Sequence, residues 1–436
     1  MERDVVIIGG GPAGYAAAIR VCQLGGRATL IEEKEIGGTC LNHGCIPLKV
    51  LLRAAELMEE IRASRDFGID YKDLSVDFAR LISRKDTIVR GLRSGISMLL
   101  DAHGVEVTRG RGRVLSENRV GIEKADGARE ELKARKIIVA TGARFEKKSG
   151  ASLRPDEIFA LKSPPVYVRI YGSDVIAASL ATVLSRLGSK VLLLYGQEGL
   201  LPQFDSETVG VLEREMKKAG IELGMVREEE EEGAYVLDTR RHVAMADFSE
   251  VELEKNEKGG ILVNERMETS LKDLYACGDV TMEHTFTHVA YMEGIVAAEN
   301  AMGLRTQMDY RAMPIFAHTL PEIAGVGLKE EEARRSRKDI RIGRFYFASS
   351  GAAMVLGRRT GLVKVICDGR YGEILGIHMV GPQSSNLISE AALAIRLEAT
   401  SEDIGQTLHC HPTLSEAVWE ASRDVQGKAV HSLSKR

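Results

Sequence analysis

Residues 5–32 read VVIIGGGPAGYAAAIRVCQLGGRATLIE, and this stretch decides the fold. Val5 to Ile8 is an apolar run of buried-strand length, Gly9-Gly10-Gly11-Pro12-Ala13-Gly14 is a turn, and the alanine-rich segment through Leu24 predicts a helix. Ala28 to Ile31 predicts a second strand, ending at Glu32. In such a strand-helix-strand unit, Gly9, Gly11 and Gly14 let the backbone turn tightly, approach a pyrophosphate and pack the helix on the sheet. The helix N-terminus attracts the phosphate charge. Glu32 stands where a carboxylate accepts hydrogen bonds from a ribose diol. Ordinary turn use of the glycines is the competing reading, and the strand-helix-strand context favours a dinucleotide.

Outward from this unit, 436 residues leave room for about three domains. An apolar fraction of 44% supplies their cores. Lys+Arg 59 against Asp+Glu 63 argues against a basic nucleic-acid surface and against an acidic disordered chain. No apolar run reaches the roughly twenty residues of a membrane helix, and the opening apolar run is broken by the Gly/Pro turn where a signal peptide is continuous. A cytoplasmic protein with no membrane or nucleic-acid partner is the expectation. Six cysteines are too few for a disulfide scaffold, yet they permit a reactive pair.

Further along, helices are predicted after Pro47 (Val50, Leu51, Ala54, Leu57, Ile61) and from Ile82 to Leu100, and strands at Val105 to Val107, Val120 to Ile122 and Ile137 to Ala140, before a turn at Thr141-Gly142. A second strand-helix-strand signal occupies Val166 to Leu194, with its helix from Val175 through Leu187, followed by a charged helix over Glu207 to Lys218. The run Glu228 to Glu232 reads as a solvated face or loop. A strand and abrupt turn at Leu274 to Asp279 precede a helix containing Val289 through Ala298. Strands at Leu362 to Ile366 and Ile374 to Val380, then helices around Leu387 to Ile395 and Leu414 to Trp419, predict a segregated α+β domain.

Two strings carry chemistry. The first is Gly37-Gly38-Thr39-Cys40-Leu41-Asn42-His43-Gly44-Cys45-Ile46-Pro47-Leu48-Lys49. Cys40 and Cys45 are compatible with a reversible disulfide at a distorted helix start, with buried cysteines, or with metal ligation, although no closed zinc shell is supplied nearby. The second is His409-Cys410-His411-Pro412-Thr413-Leu414-Ser415-Glu416, where Thr413 and Glu416 also have capping-box spacing. Asp279, after the Gly278 turn, is either a turn cap or a ligand to flavin ribityl hydroxyls.

Across almost its whole length the chain resembles the flavoprotein disulfide reductases that include dihydrolipoamide dehydrogenase, mercuric reductase and glutathione reductase. The resemblance implies an α/β fold of two Rossmann-like dinucleotide domains, the FAD domain discontinuous, plus a C-terminal α+β dimerisation domain. In residues, that is 1–149 and 270–308 for FAD, 150–269 for a shortened, divergent NAD(P)-binding-like domain, and 309–436 for dimerisation. FAD is implied at Gly9, Gly11, Gly14, Glu32, Gly38, Thr39, Thr141, Gly142 and Asp279, with Lys49 near flavin N5. Cys40 and Cys45 map onto the redox disulfide, Cys40 exchanging with the substrate and Cys45 forming the thiolate against the flavin. His411 is implied as acid/base and Glu416 as its orienting carboxylate, both offered across a homodimer interface. The implied substrate is a dithiol such as dihydrolipoamide, carried free or on a lipoyl-bearing protein.

The second glycine turn departs from the family pattern. Gly172 keeps the first glycine, but Asp174 and Ala177 occupy the second and third positions, Ser179 replaces the customary Glu, and Tyr195 replaces the ribose-binding acid. The segment between Gly224 and Gly259 is also short. NAD as a second cofactor is therefore weakened, and a member serving another acceptor is the alternative. A mercuric reductase is disfavoured because His431 to Arg436 lacks paired cysteines, and a noncatalytic FAD-stabilised scaffold requires the Cys40 and Cys45 thiols to be structural. No resident metal is expected.

Overall fold

The structure, a computed structural model, describes residues 3–145, 152–226, 235–239, 241–243, 250–336 and 339–432. The acidic run Glu228 to Glu232 and residues 433–436 lie outside them. Among the described residues, three large sheets organise the chain.

In the first sheet, Arg3–Ile8 lies between Ala28–Glu32 and Arg129–Val139, parallel to both. Glu106–Arg109 extends one side, and Leu274–Ala276 returns from far along the chain to pair with Arg129–Val139. The first unit is thus discontinuous. Strand side chains alternate between faces. Accordingly Val5 and Ile7 pack with Ala17 and Val21 of the helix Pro12–Gln23 and with Ala297 of the helix Thr287–Ala301. Val6 and Ile8 pack instead with Val114, Val120 and Ile122 of an antiparallel layer formed by Arg111–Ser116 and Arg119–Glu123.

The second sheet runs Ile221–Met225, Lys190–Tyr195, Tyr167–Tyr171, Tyr235–Asp238, Ser152–Leu153, parallel throughout. The helix Val175–Arg186 packs on it with residues Ala177 through Leu184 buried. The third sheet is antiparallel, in the order Ile315–Ala317, Glu322–Gly327, Ile374–Gly381, Leu362–Asp368, Ile340–Tyr346. Ser384–Arg396 and Glu416–Asp424 supply apolar cover for it. Two Rossmann-like α/β units and a C-terminal α+β unit result.

One helix ties these units together. In Cys45–Ala63, Leu48, Leu51 and Leu52 belong to the same buried cluster as Ile158, Val168 and Ala181 of the second unit. The first residues of this helix are therefore fixed where the units converge.

Candidate active site

The glycine turn is built to be approached. Gly9 has φ +107°, and a Cβ on Gly14 would fall 1.8 Å from the Gly9 carbonyl oxygen, so a methyl at Gly14 forces the helix off the strand. A Cβ on Gly38 would come 2.7 Å from Gly11 Cα, so the cysteine-bearing segment touches the turn backbone to backbone. The helix Pro12–Gln23 begins without a side-chain cap, leaving early amides for a ligand. Glu32 is held at its strand end: Oε2 accepts from Gly10 N at 2.6 Å and Oε1 from Lys34 N at 2.7 Å. Thr141 lies beside Gly9, and its Oγ1 is buried without a hydrogen-bond partner, while Gly142 follows with φ +75°. A buried orphan hydroxyl needs an acceptor or donor from outside the chain. A turn free of side chains, uncapped amides and a carboxylate at the second strand fit FAD.

Cys40 lies in the short helix Gly38–His43 and Cys45 opens Cys45–Ala63, with a break at Gly44 (φ −137°, ψ −105°). The break lets the two side chains meet. Hydrogen bonding to Cys45, then burial, push the Cys40 thiol far above its ordinary range. Cys45 is the more accessible of the two in the isolated chain. Thr287 Oγ1, at the start of Thr287–Ala301, is 3.5 Å from Cys45 Sγ and favours the thiolate of Cys40 as well. Asn42, buried between the cysteines in sequence, donates to Ile36 O and Gly38 O while Arg93 donates to its Oδ1 at 2.8 Å, which fixes the segment to the long helix Phe78–Ala102. Thr39 is exposed in the same short helix.

Asp279 sits in the turn Gly278–Thr281, close enough to Cys40 to disfavour its thiolate. Gly278 N donates to Glu293 Oε2 at 2.7 Å, and Tyr310 OH donates to Glu293 Oε1 at 2.8 Å. Burial first pushes the Glu293 carboxyl up to about 7. Lys49 pairs at 3.5 Å with Glu322, whose other oxygen accepts from Ser385 N and Oγ. Ser179 Oγ bonds Val175 O at 2.5 Å and accepts from His318 N at 3.1 Å. Burial, then the Lys49 charge, bring the His318 imidazole down to about 4.

His411 Nδ1 is 2.8 Å from Glu416 Oε1, and Thr413 N donates to Glu416 Oε2 at 2.9 Å. Burial opposes the Glu416 charge, but the bonds from His411 and Thr413 outweigh it and hold the carboxyl below its usual range. The expected capping box is only half formed. The helix starts at Glu416 after Ser415, and the Thr413 hydroxyl bonds Cys410 O instead of an early helix amide. His411 is 78% exposed, consistent with a group offered outward rather than a satisfied core histidine. Cys410 is exposed as well.

Sequence reasoning missed Asn42, Thr287, Glu293, Tyr310 and Glu322. Glu293 had a usable signal, a carboxylate among the buried Val289, Ala290, Gly294, Val296 and Ala297 of one apolar helix. Thr287 and Glu322 have none, since only the fold brings them to Cys45 and Lys49. Among the described residues no His/Cys/Asp/Glu cluster is arranged to hold a metal, and no helix is long and apolar enough to cross a membrane.

Residues 3–294 match the family described as Pyridine nucleotide-disulphide oxidoreductase, and residues 313–422 match its dimerisation domain. The chain is 35% identical to a dihydrolipoyl dehydrogenase of Bacillus subtilis and 34% identical to that of Thermus scotoductus, with 99% of each chain covered in both comparisons. Among solved structures, LpdA from Mycobacterium tuberculosis superposes with a TM-score of 0.89 at 26% identity, over 97% of this chain and 99% of that one.

Proposed function

The chain belongs to the pyridine nucleotide-disulphide oxidoreductases, and from that membership we propose that it oxidises a dihydrolipoamide-class dithiol through Cys40 and Cys45. It is an FAD-dependent dithiol/disulfide oxidoreductase of the dihydrolipoamide dehydrogenase-like kind. The observation that carries the residue assignment is the contact between the Cys40 and Cys45 thiols at the Gly44 break, with Thr287 against both.

In the oxidised enzyme a substrate thiolate attacks Cys40 Sγ of the Cys40–Cys45 disulfide; the sulfur–sulfur bond breaks and its electron pair leaves on Cys45. The second substrate thiol loses its proton and attacks the substrate sulfur of the mixed disulfide, which closes the product disulfide and frees Cys40 as a thiolate. His411 of a second copy receives the proton on Nε2, the nitrogen left over when Nδ1 bonds Glu416. Thr287 donates its hydroxyl proton toward the Cys45 thiolate. Gly9 to Gly14, Glu32 and Thr141 would hold FAD, which when bound would accept the electron pair that Cys45 carries. The chain acts as a homodimer in this reading, because His411 points outward from a family dimerisation domain.

Anaerobic addition of dihydrolipoamide to the holoenzyme is expected to raise a long-wavelength thiolate–flavin band with the first electron pair and to bleach the visible flavin spectrum with the second. Cys45→Ser is expected to retain FAD and lose both changes. Dithiol-driven bleaching of Cys45→Ser at the wild-type rate rejects the assignment.

A further inference from the structure

The two strand-helix turns of this one chain can be compared directly. The first helix begins with no side-chain cap, and the third motif position must be Gly14 because any Cβ meets the Gly9 carbonyl oxygen. At the second turn Asp174 caps the helix Val175–Arg186 with its own carboxylate: Oδ1 accepts from Ile176 N at 3.0 Å and from Ala177 N at 2.8 Å. Amides of the first helical turn are those a phosphate uses at an uncapped helix start. A second carboxylate stands alongside. Ser173 Oγ donates to Glu198 Oε1 at 2.8 Å and accepts from Gly196 N at 3.4 Å.

The remaining motif positions are explained without a ligand. Ala177, in the place of Gly14, is fully buried with its methyl accommodated, so this turn does not need the tight helix approach of the first. Gly172 persists for packing: a Cβ there would lie 2.0 Å from Thr239 Oγ1, and Thr239 N is bonded to Tyr171 O at 3.0 Å. Tyr195 ends the strand Lys190–Tyr195 with a phenol at the place where the first unit has Glu32.

We propose that Asp174 and Glu198 are specificity residues that exclude NAD and NADP, so that the second Rossmann-like unit is a structural relic and not a pyridine-nucleotide site. A pyrophosphate arriving at this turn must displace the Asp174 carboxylate from two backbone amides and then lie beside two negative groups. The inference rests on the reading above only in using bound flavin as one reporter, and leaves the dithiol half-reaction unchanged.

The test is equilibrium dialysis of the holoenzyme against NADH and NADPH, with anaerobic flavin spectra recorded alongside. No retention of either nucleotide at about 1 mM, the upper end of ordinary KM values, is expected. Saturable binding in the micromolar range, or bleaching of the flavin by either nucleotide, overturns the proposal. Asp174→Gly with Glu198→Ala uncovers the two amides and removes both charges, and is expected to tighten binding by roughly tenfold or more, the factor one close like-charge contact carries. Asp174→Asn keeps a capping oxygen on the two amides while removing one charge, and is expected to bind nucleotide more weakly than the double variant; equal binding by the two variants removes the cap from the exclusion. A correctly folded double variant that binds no better than wild type overturns the roles given to these residues. Failure of dihydrolipoamide to bleach the flavin while both nucleotides stay excluded sinks the proposed function and leaves this inference standing.

Discussion

Glu416 directs its two oxygens to different partners, one to His411 Nδ1 and one to Thr413 N, so its structural and catalytic readings are both correct in part. A glutamine at that position has one acceptor oxygen and cannot serve both. Glu416→Gln is expected to lower dithiol kcat/KM by roughly 10²-fold or more, the contribution of a well-placed acid/base, while the urea midpoint moves little. Unchanged kcat/KM removes Glu416 from the orienting role. The residues that sequence made legible are those within short strings: Cys40, Cys45, His411, Glu416 and the glycine turn. Thr287 and Glu322, which it hid, are separated from their partners by long stretches of chain, 242 positions from Cys45 to Thr287 and 273 from Lys49 to Glu322. No local pattern marks a threonine or glutamate for such a meeting. Glu322 is informative because Ser179, at the customary acid position, bonds the backbone and His318 instead, leaving Lys49 to a carboxylate of the C-terminal sheet.

At the scale of elements, the two helices that follow the glycine turns answer differently to the same side chain. Gly14→Ala places a methyl against the Gly9 oxygen and is expected to destabilise the first unit by roughly 1–3 kcal/mol, as overpacking does, and to release FAD. Ala177→Gly removes a methyl that has room and is expected to cost only about 1 kcal/mol of helix propensity, with FAD content unchanged. Flavin absorbance per protein and thermal unfolding separate the two; full FAD occupancy in Gly14→Ala contradicts the close-approach argument. Buried parallel strands such as Arg3–Ile8 were legible because they are continuous apolar runs. Arg111–Ser116 and Ile340–Tyr346 were not, because their antiparallel strands mix exposed charges such as Arg111 and Arg341 with the apolar residues. The break between Gly38–His43 and Cys45–Ala63 was anticipated only as a distortion, yet it is what brings the two sulfurs together.

Across the whole molecule, the second unit is fastened to the C-terminal sheet by charges as well as by the apolar cluster that Val168 and Leu200 share with Ile323 and Leu362. Lys364, buried on the strand Leu362–Asp368, holds Asp205 Oδ1 at 2.9 Å, Glu207 at 3.1 Å and Glu330 at 2.7 Å, and Arg344 closes the network on Glu207 at 3.0 Å. Asp205 is also the cap of the helix Ser206–Lys218, so the lysine of one unit anchors a helix start of another. Burial works against each charge here, and the mutual bonds more than offset it: Asp205, Glu207 and Glu330 are held below their ordinary range and Lys364 above its own. A carboxyl depressed on folding stabilises above its unfolded pKa and loses that contribution as pH falls through the folded value. A lysine raised on folding stabilises below its unfolded pKa and loses it as pH rises through the folded value. The network therefore supports the assembly of units between roughly pH 4.3 and 10.4 and weakens on both sides of that window. Lys364→Met leaves Asp205 buried without its cation and is expected to cost roughly 3–5 kcal/mol at neutral pH, most of which disappears when the same comparison is made in acid. Urea unfolding of both proteins at neutral and acid pH checks this; a stability difference that does not shrink as the carboxyls protonate shows that Lys364 contributes through packing and not through charge.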